Sequence, residues 1–336
     1  MSRPGRWLAG LGAAAGYLWL MRRRNASLEP PSIHDLDGEP LPERHFTYRD
    51  GARVSLLEAG EGPPLVLVPG ADGVKETWRY QVPSFARRRR VLAADLRSEF
   101  PAEADFDLFR RDLLELTDEL ADGPVALAGQ SLGGAIAIRF AARHPDRVRA
   151  LVLCNTLTRV TYEHVGLNRS LLAPLAMATT RYLPTPLARL AAKGWSRRAA
   201  WIFDDSPGSE NVVEYALWTG PRTVSPAVSS RRVDLLRGED LRGELADVRA
   251  PTLVVKGPRD AYCPPSWSLE IAAGIDDAAY VEVPGTGHCS HVSAPGKFNR
   301  VVGDWLDAVV PVEEGADDGE DAPADVKAPA TEGDEA

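Results

Sequence analysis

The chain has 336 residues, of which 44% are hydrophobic and 26% charged, an ordinary composition for a globular protein. A chain of this length buries a full core without disulfides or structural metal ions. Its net charge of −9 is carried by the last two dozen residues, where ten acidic side chains accompany one lysine, so the rest of the chain is neutral. A neutral body argues against nucleic acid as a partner. The acidic segment 311–336 has few large apolar residues, and this composition predicts disorder.

The N-terminal segment 1–24 is apolar at its centre and basic at both ends. Residues 7–21 form an apolar run of 15 residues, which is shorter than the ~20 residues that a helix needs to span a bilayer. Three interpretations stay open: a marginal membrane anchor, a helix lying in the membrane interface, or a helix packed on the protein. If the segment spans the membrane, the arginine triplet 22–24 places the rest of the chain on the cytoplasmic side. Residues 25–44, rich in proline and polar residues, are predicted to be a linker.

Short apolar runs alternate with helical patterns from residue 45 onward. Two runs around Asp50-Gly51 predict a β-hairpin. Apolar runs predict buried strands at 65–68, 91–94, 125–128, 148–153, 252–255 and 280–283. Apolar residues with 3.6-residue periodicity predict helices at 106–120, 136–143 and 298–305. Alternation of this kind predicts an α/β core over 45–156 and 251–310, with a mostly parallel sheet and helices on both faces.

The stretch 157–250 interrupts this alternation. It contains no strand-like run but has helical patterns at 187–195 and 212–218. A block of ~90 residues is too long for a plain loop, so we predict a helical cap inserted after the sixth strand. Its aromatic residues either line an apolar pocket or pack as ordinary core, namely Trp195, Trp201, Phe203, Tyr215 and Trp218.

The candidate nucleophile is Ser131, in the sequence Gly-Gln-Ser-Leu-Gly at 129–133. It follows the predicted strand 125–128 and precedes a predicted helix. A serine on such a sharp turn presents its hydroxyl above the sheet, and the glycines around it relieve crowding. The amide of Leu132, at the helix N-terminus, is a candidate donor to an oxyanion. We expect the second donor to be the amide of Ala71, in the glycine-rich loop after the third strand.

A serine hydroxyl needs a base to take its proton and an acid to orient that base. His288 is the candidate base, since it follows the strand 280–283 in a loop of small residues, and His291 is the alternative. Asp260, just after the strand 252–255, is the candidate acid. Three cysteines without CxxC spacing argue against a disulfide framework or a zinc site and favour reduced thiols in the cytoplasm.

Together these residues resemble the α/β-hydrolase superfamily over residues 45–310. The resemblance implies an eight-stranded sheet, a catalytic triad of Ser131, His288 and Asp260, and no cofactor. Pro69 departs from the histidine that many members carry at that place, and the segment after the fourth strand departs as well. Short stretches, 95–113 and 153–156, are similar to maspardin, a relative regarded as a binding protein.

With serine as nucleophile, the expected chemistry is acyl transfer to water from an ester, thioester or lactone, or carbon–carbon bond hydrolysis of a diketone. We expect the substrate to be a small or medium apolar acyl compound. The alternatives are a non-catalytic binding or scaffold protein on the same fold, or a cofactor-free haloperoxidase or acyltransferase that uses the same triad.

Overall fold

The structure, a computed structural model, describes residues 3–27, 32–160, 181–184, 186–188, 190–191, 209–220, 226–260 and 262–311. The predicted disorder of the acidic segment lies outside these residues, apart from its first position. The predicted cap residues 192–208 also lie outside the described residues, and they include Trp195, Trp201 and Phe203. Parts of the predicted linker lie outside them as well.

Eight strands form one sheet, in the order β1-β2-β4-β3-β5-β6-β7-β8. Their bounds are Glu43–Thr47, Arg53–Ala59, Pro64–Val68, Arg90–Ala94, Val125–Gln130, Val148–Cys154, Thr252–Lys256 and Ala278–Glu282, numbered β1 to β8. β2 pairs antiparallel with β1 and β4, and every other neighbouring pair is parallel. The predicted mostly parallel sheet and its leading hairpin are therefore confirmed.

Both faces of the sheet are covered, because side chains that alternate along one strand enter different core clusters. On β3, Val66 and Val68 pack into one cluster, while Leu65 and Leu67 pack into another. The helices of the body are α2 (Gln81–Phe85), α3 (Asp107–Leu120), α4 (Leu132–Arg143), α7 (Pro265–Gly274), α8 (Ser290–Ser293) and α9 (Pro295–Val309). α3, α4 and α7 contribute to the first cluster, and α2 and α9 contribute to the second.

Helix α4 begins at Leu132, four residues earlier than its apolar periodicity predicts. Its first turn contains Gly133 and Gly134, which carry no apolar signal but pack against the sheet. A Cβ at Gly133 would overlap the carbonyl oxygen of Val68, and one at Gly134 would overlap the side chain of Thr156. The glycines therefore let the helix start directly after Ser131 and close to the sheet.

Two helices are described between β6 and β7, in the part of the chain predicted to be a cap. They are α5 (Ser209–Thr219) and α6 (Pro226–Leu236). Val212 and Val213 of α5 are buried in a cluster with Val74, from the loop after β3, and Val292, from α8. This packing places α5 beside the loops that follow β3 and β8.

The N-terminal helix α1 (Arg3–Ala26) is attached to the body near its C-terminal end. Met21 is buried, and Asn25 Nδ2 donates to the carbonyl of Arg181 at 2.8 Å. Tyr17, by contrast, leaves more than a third of its surface exposed and donates its hydroxyl to the carbonyl of Tyr182. Among the described residues, no helix combines the length and apolar character needed to cross a membrane.

Candidate active site

Ser131 occupies a strained turn between β5 and α4. Its φ of 52° and ψ of −118° lie outside the regions that L-residues normally adopt. Two hydrogen bonds join the turn to the end of β6 and the residues after it: Ser131 N donates to Cys154 O at 3.0 Å, and Thr156 Oγ1 donates to Ser131 O at 2.6 Å. The end of β6 therefore fixes the backbone of the serine, as a strand-to-helix nucleophile requires.

The predicted nucleophile, base and acid lie in hydrogen-bond contact. Ser131 Oγ is 3.1 Å from His288 Nε2, and His288 Nδ1 is 3.0 Å from Asp260 Oδ2. These distances match those of a nucleophile, its base and the group that orients the base. The three residues come from the ends of β5, β7 and β8, so parallel strands bring them to one edge of the sheet.

The structure places the alternative base, His291, away from the serine. His291 is fully buried, and its Nε2 lies 2.9 Å from the hydroxyl of Thr77. Its ring packs 4.9 Å from that of Trp78, centroid to centroid. Burial, with a smaller effect of nearby His288, lowers the pKa of His291 to about 3. We therefore assign His291 to the packing beneath the loop, as a neutral side chain.

Asp260 is held on both of its oxygens. Oδ1 accepts from the amides of Tyr262 and Cys263, at 2.8 and 3.0 Å. Oδ2, besides facing His288, accepts from Asn155 Nδ2 at 2.9 Å and from Lys256 Nζ at 2.6 Å. Burial alone would raise the pKa of Asp260, but the contacts with His288 and Lys256 outweigh it and hold the pKa well below its usual range. The carboxylate is therefore ionised and fixed.

Ligand-type atoms of Asp260, Cys263 and His288 lie within 4.8 Å of one another, a spacing that a metal ion could use. The surroundings do not suit a cation, however. The ammonium of Lys256 already contacts the carboxylate, and burial raises the pKa of the Cys263 thiol well above its ordinary value. A protonated thiol is a poor ligand, so the cluster fits a proton-transfer site better than a metal site.

The two candidate oxyanion donors belong to segments that pack against each other. Leu132 N is in the first turn of α4, where amides have no acceptor within the helix. The loop that carries Ala71 approaches this turn closely: a Cβ at Gly70 would overlap Gln130 Oε1, and one at Gly133 would overlap the carbonyls of the loop. The segments that carry the two candidate donors therefore meet at the turn that holds Ser131.

Sequence patterns did not identify several residues that contact this site. Lys256, at the end of β7, and Asn155, just after β6, both donate to the carboxylate of Asp260. The ring of Tyr262 packs 5.1 Å from that of His288, centroid to centroid. One signal was available, because a lysine closing an otherwise apolar strand four residues before Asp260 must find a buried partner. The contacts of Asn155 and Tyr262 depend on how separate loops meet.

Comparison with known proteins gives a consistent result. 2-hydroxymuconate semialdehyde hydrolase from a Pseudomonas strain is 29% identical over 278 residues, covering 76% of this chain and 91% of that protein. 2-hydroxy-6-oxo-2,4-heptadienoate hydrolase from Pseudomonas putida is 29% identical over 276 residues, covering 77% of this chain and 94% of that protein. Among solved structures, a thermophilic esterase from Thermogutta terrifontis superposes with a TM-score of 0.62 at 25% identity, covering 80% of this chain and 99% of that one.

The family model described as the alpha/beta hydrolase family matches residues 65–301. This range begins in β3 and ends in α9, so it contains the turn at Ser131 and the loops of Asp260 and His288. The match spans well over half of the chain and agrees with the eight-stranded sheet and with the hydrolases above. The chain therefore belongs to the alpha/beta hydrolase family.

Proposed function

We propose that this chain is a serine hydrolase that cleaves an ester, thioester or lactone-type bond through an acyl-enzyme. The observation that carries the proposal is the continuous set of contacts from Ser131 Oγ through His288 to Asp260. The strained backbone of Ser131 supports it, because such strain is retained where it positions a reacting group. The hydrolase and esterase names of the relatives agree with this chemistry.

Each residue has a defined role in the proposed reaction. Ser131 Oγ attacks the carbonyl carbon while His288 Nε2 accepts its proton, and Asp260 orients the ring and stabilises the imidazolium. The amides of Ala71 and Leu132 donate to the developing oxyanion. The imidazolium returns its proton to the leaving group, which departs and leaves the acyl group on Ser131. Water, deprotonated by His288, then attacks the acyl carbon, and the carboxylic acid product leaves as the imidazolium returns its proton to Ser131 Oγ.

The surroundings support an apolar acyl group of small or medium size. Val74 and Val292, which flank the loops of Ala71 and His288, are buried against α5. Leu217 of the same helix belongs to this cluster. Apolar surroundings with few polar groups are typical of small-molecule sites, so an acyl group bound beside this buried cluster is expected to be aliphatic rather than charged.

A non-catalytic binding protein is the less favoured alternative. Such a protein has no need to hold Asp260 ionised and in contact with both His288 and Lys256. A cofactor-free haloperoxidase or an acyltransferase would use the same three residues, so the triad does not separate these activities from hydrolysis. The nature of the acceptor, water or another nucleophile, decides between them.

A panel of p-nitrophenyl esters with acyl chains of increasing length tests the proposal. We expect the wild-type chain to release nitrophenolate with a preference for short or medium chains, and Ser131→Ala to lose this activity. Product analysis in the presence of an alcohol or hydrogen peroxide distinguishes hydrolysis from acyl transfer. No turnover with any ester by a folded wild-type chain would contradict the proposal.

We further propose that α1 binds the surface of an anionic membrane, on its cytoplasmic side. Leu18, Trp19 and Leu20 are 46%, 60% and 52% exposed, an unusual amount of apolar surface on one turn of helix. Arg23 lies 5.5 Å from the ring of Trp19, and two further arginines flank it in the sequence. An aromatic and apolar turn beside a basic cluster is typical of helices that lie in the lipid interface.

Co-sedimentation with vesicles tests this second proposal. We expect binding to phosphatidylglycerol vesicles, weaker binding to phosphatidylcholine vesicles, and loss of binding when Leu18, Trp19 and Leu20 are replaced by serine. Leu36→Ser is the matched control, because Leu36 is 56% exposed outside α1. Equal sedimentation of the triple variant and the wild-type chain would contradict it.

A further inference from the structure

Arg232, on helix α6, is completely buried. Within the described part of the chain, all of its hydrogen bonds go to backbone carbonyl oxygens. Its Nη1 donates to Asp72 O at 2.6 Å and to Ala71 O at 3.3 Å. Its Nη2 donates to Leu96 O at 2.6 Å and to Arg97 O at 2.9 Å. One side chain from α6 thus joins the loop after β3 to the loop after β4.

The loop after β3 is the one that carries the candidate oxyanion donor Ala71, and both peptides next to that residue are fixed. Gly70 O accepts from Gly73 N at 2.9 Å, which orients the peptide that contains the Ala71 amide. Ala71 O accepts from Arg232. Gly73 adopts a φ of +67°, and a Cβ there would overlap the guanidinium of Arg232. The loop and the arginine therefore fit each other without spare room.

Helix α5 holds the same loop from a second direction. The hydroxyl of Tyr215 donates to Asp72 Oδ2 at 2.6 Å, and Gly73 N donates to Asp72 Oδ1 at 2.8 Å. Asp72 is thus bound through its backbone by α6 and through its side chain by α5. Both helices lie between β6 and β7, so the polypeptide inserted there fixes the residue that follows Ala71.

We propose that Arg232, supported by Tyr215, is a positioning residue for the oxyanion hole: it holds the peptide planes around Ala71 so that the amide points to the reacting carbonyl oxygen. The inference rests on the proposed function, since it assumes that Ser131 attacks a carbonyl group. Donors stabilise an oxyanion strongly only if they are oriented before the reaction. Two helices of the inserted segment therefore take part in arranging the proposed oxyanion hole.

The energetic cost of this arrangement supports a role beyond stability. Burial lowers the pKa of Arg232 to about 10, so the guanidinium is still charged at neutral pH. Apolar residues of similar volume often stabilise a protein as well as a buried charge does or better. The five hydrogen bonds that Arg232 donates offset the cost of burying its charge, and every acceptor is a carbonyl oxygen of the two loops.

The test compares Arg232→Met, which fills the space without donors, with Tyr215→Phe, which removes one hydroxyl. Arg89→Met is the control: Arg89 is also buried and donates to a backbone carbonyl, that of Val310, but it forms an ion pair with Asp307 of α9, and its hydrogen bonds within the described part of the chain do not reach these loops. For each variant we measure kcat, KM and the rate of fluorophosphonate labelling. We also measure the inhibition constant of a trifluoromethyl ketone with the preferred acyl chain. The ketone forms a tetrahedral adduct whose oxyanion mimics that of the reaction.

For Arg232→Met we expect kcat to fall about 100-fold with KM changed less than about 3-fold, and ketone affinity to fall in parallel. Tyr215→Phe should lose about 3- to 10-fold in the same way, and this variant carries the test if Arg232→Met does not fold. Arg89→Met should retain kcat. A folded Arg232→Met, or failing that Tyr215→Phe, with wild-type kcat and ketone affinity would overturn the inference. An unreactive wild-type chain would instead overturn the proposed function, so the two failures are distinguishable.

Discussion

The ammonium of Lys256 lies 2.6 Å from Asp260 Oδ2, the same oxygen that lies 3.0 Å from His288 Nδ1. Both side chains of the ion pair are fully buried. The Asp260 carboxylate, which orients His288 in the proposed triad, is therefore partly neutralised by the ammonium of Lys256. Such a contact is energetically significant, because two unit charges about 4 Å apart interact by about 4 kcal/mol at an effective dielectric constant of 20.

This contact predicts that Lys256→Met changes the pH dependence of catalysis. Without the ammonium, Asp260 stabilises the imidazolium more strongly, so the acidic limb of the kcat/KM profile should move to higher pH by about 1 unit. The variant should also lose about 3 kcal/mol of unfolding free energy, since a buried carboxylate loses a partner. The profile and a urea unfolding curve measure the two effects.

Asn155→Gly is the matched control for that variant. Asn155 donates to the same oxygen without adding charge, and glycine tolerates its φ of +46°. We expect activity to fall but the acidic limb to stay within about 0.3 pH units. The electrostatic interpretation is wrong if the limb moves equally in both variants, or in neither.

His291 predicts a pH dependence of stability rather than of catalysis. Its pKa is lowered from 6.5 to about 3 in the folded state, so the unfolded chain binds a proton that the folded chain excludes. This contribution to stability is therefore fully present above pH 6.5 and is lost as the pH falls towards 3. Between pH 6.5 and 5 the folded chain loses about 2 kcal/mol of unfolding free energy through this group.

The measurement is the difference in unfolding free energy between the wild-type chain and His291→Gln at several pH values. The difference cancels the titration of the other groups, and glutamine keeps a partner for the hydroxyl of Thr77. We expect the variant to lose less stability than the wild-type chain on acidification. Parallel curves between pH 7 and 5 would show that His291 is not the group responsible.

Gly257→Ala should separate the loops of the acid and the base. A Cβ at Gly257 would overlap the carbonyl oxygen of Gly287, the residue before His288. Because a backbone atom is the obstacle, the loop itself must move, and small displacements of catalytic groups cost about 100-fold in rate. We expect kcat to fall by that order. Gly296→Ala, where the Cβ would meet open space, is the control that should keep wild-type activity.

The two histidines give the sharpest contrast in activity. His288→Ala should lower kcat by about 10,000-fold, because it removes the base in contact with Ser131. His291→Ala removes a ring that packs against Trp78, so it should destabilise the chain while leaving kcat within about 10-fold of wild type. Steady-state kinetics on the best nitrophenyl ester measures both. Comparable losses in kcat for two folded variants would contradict the assignment of the base.

The turn at Ser131 could be predicted from the sequence because its signals are local. A buried strand, a glycine-flanked serine and a helix follow one another within 20 residues, and each is set by nearest neighbours along the chain. The hairpin at Asp50-Gly51 is local in the same sense, and the structure has it between β1 and β2. The start of α4 was missed because Gly133 and Gly134 give no apolar periodicity.

Contacts between distant segments could not be predicted in this way. Arg232 reaches carbonyls more than 130 residues earlier in the chain, and nothing in its neighbourhood distinguishes it from the adjacent Arg231. Likewise, the small residues before His288 favoured it over His291 as the base, but the burial of His291 against Thr77 depends on how the loop packs. Such roles follow from tertiary geometry and not from residue type or spacing.

Covalent labelling with a fluorophosphonate, located by peptide mass spectrometry, tests the central proposal most directly. The reagent phosphonylates a serine only if that serine is activated, so it reports on Ser131 without any assumption about the substrate. We predict stoichiometric modification of the peptide that contains Ser131, no modification of folded Ser131→Ala, and strongly slowed modification of His288→Ala. A folded wild-type chain that remains unmodified, or that is modified at another residue, would contradict the proposal that this protein is a serine hydrolase acting through Ser131.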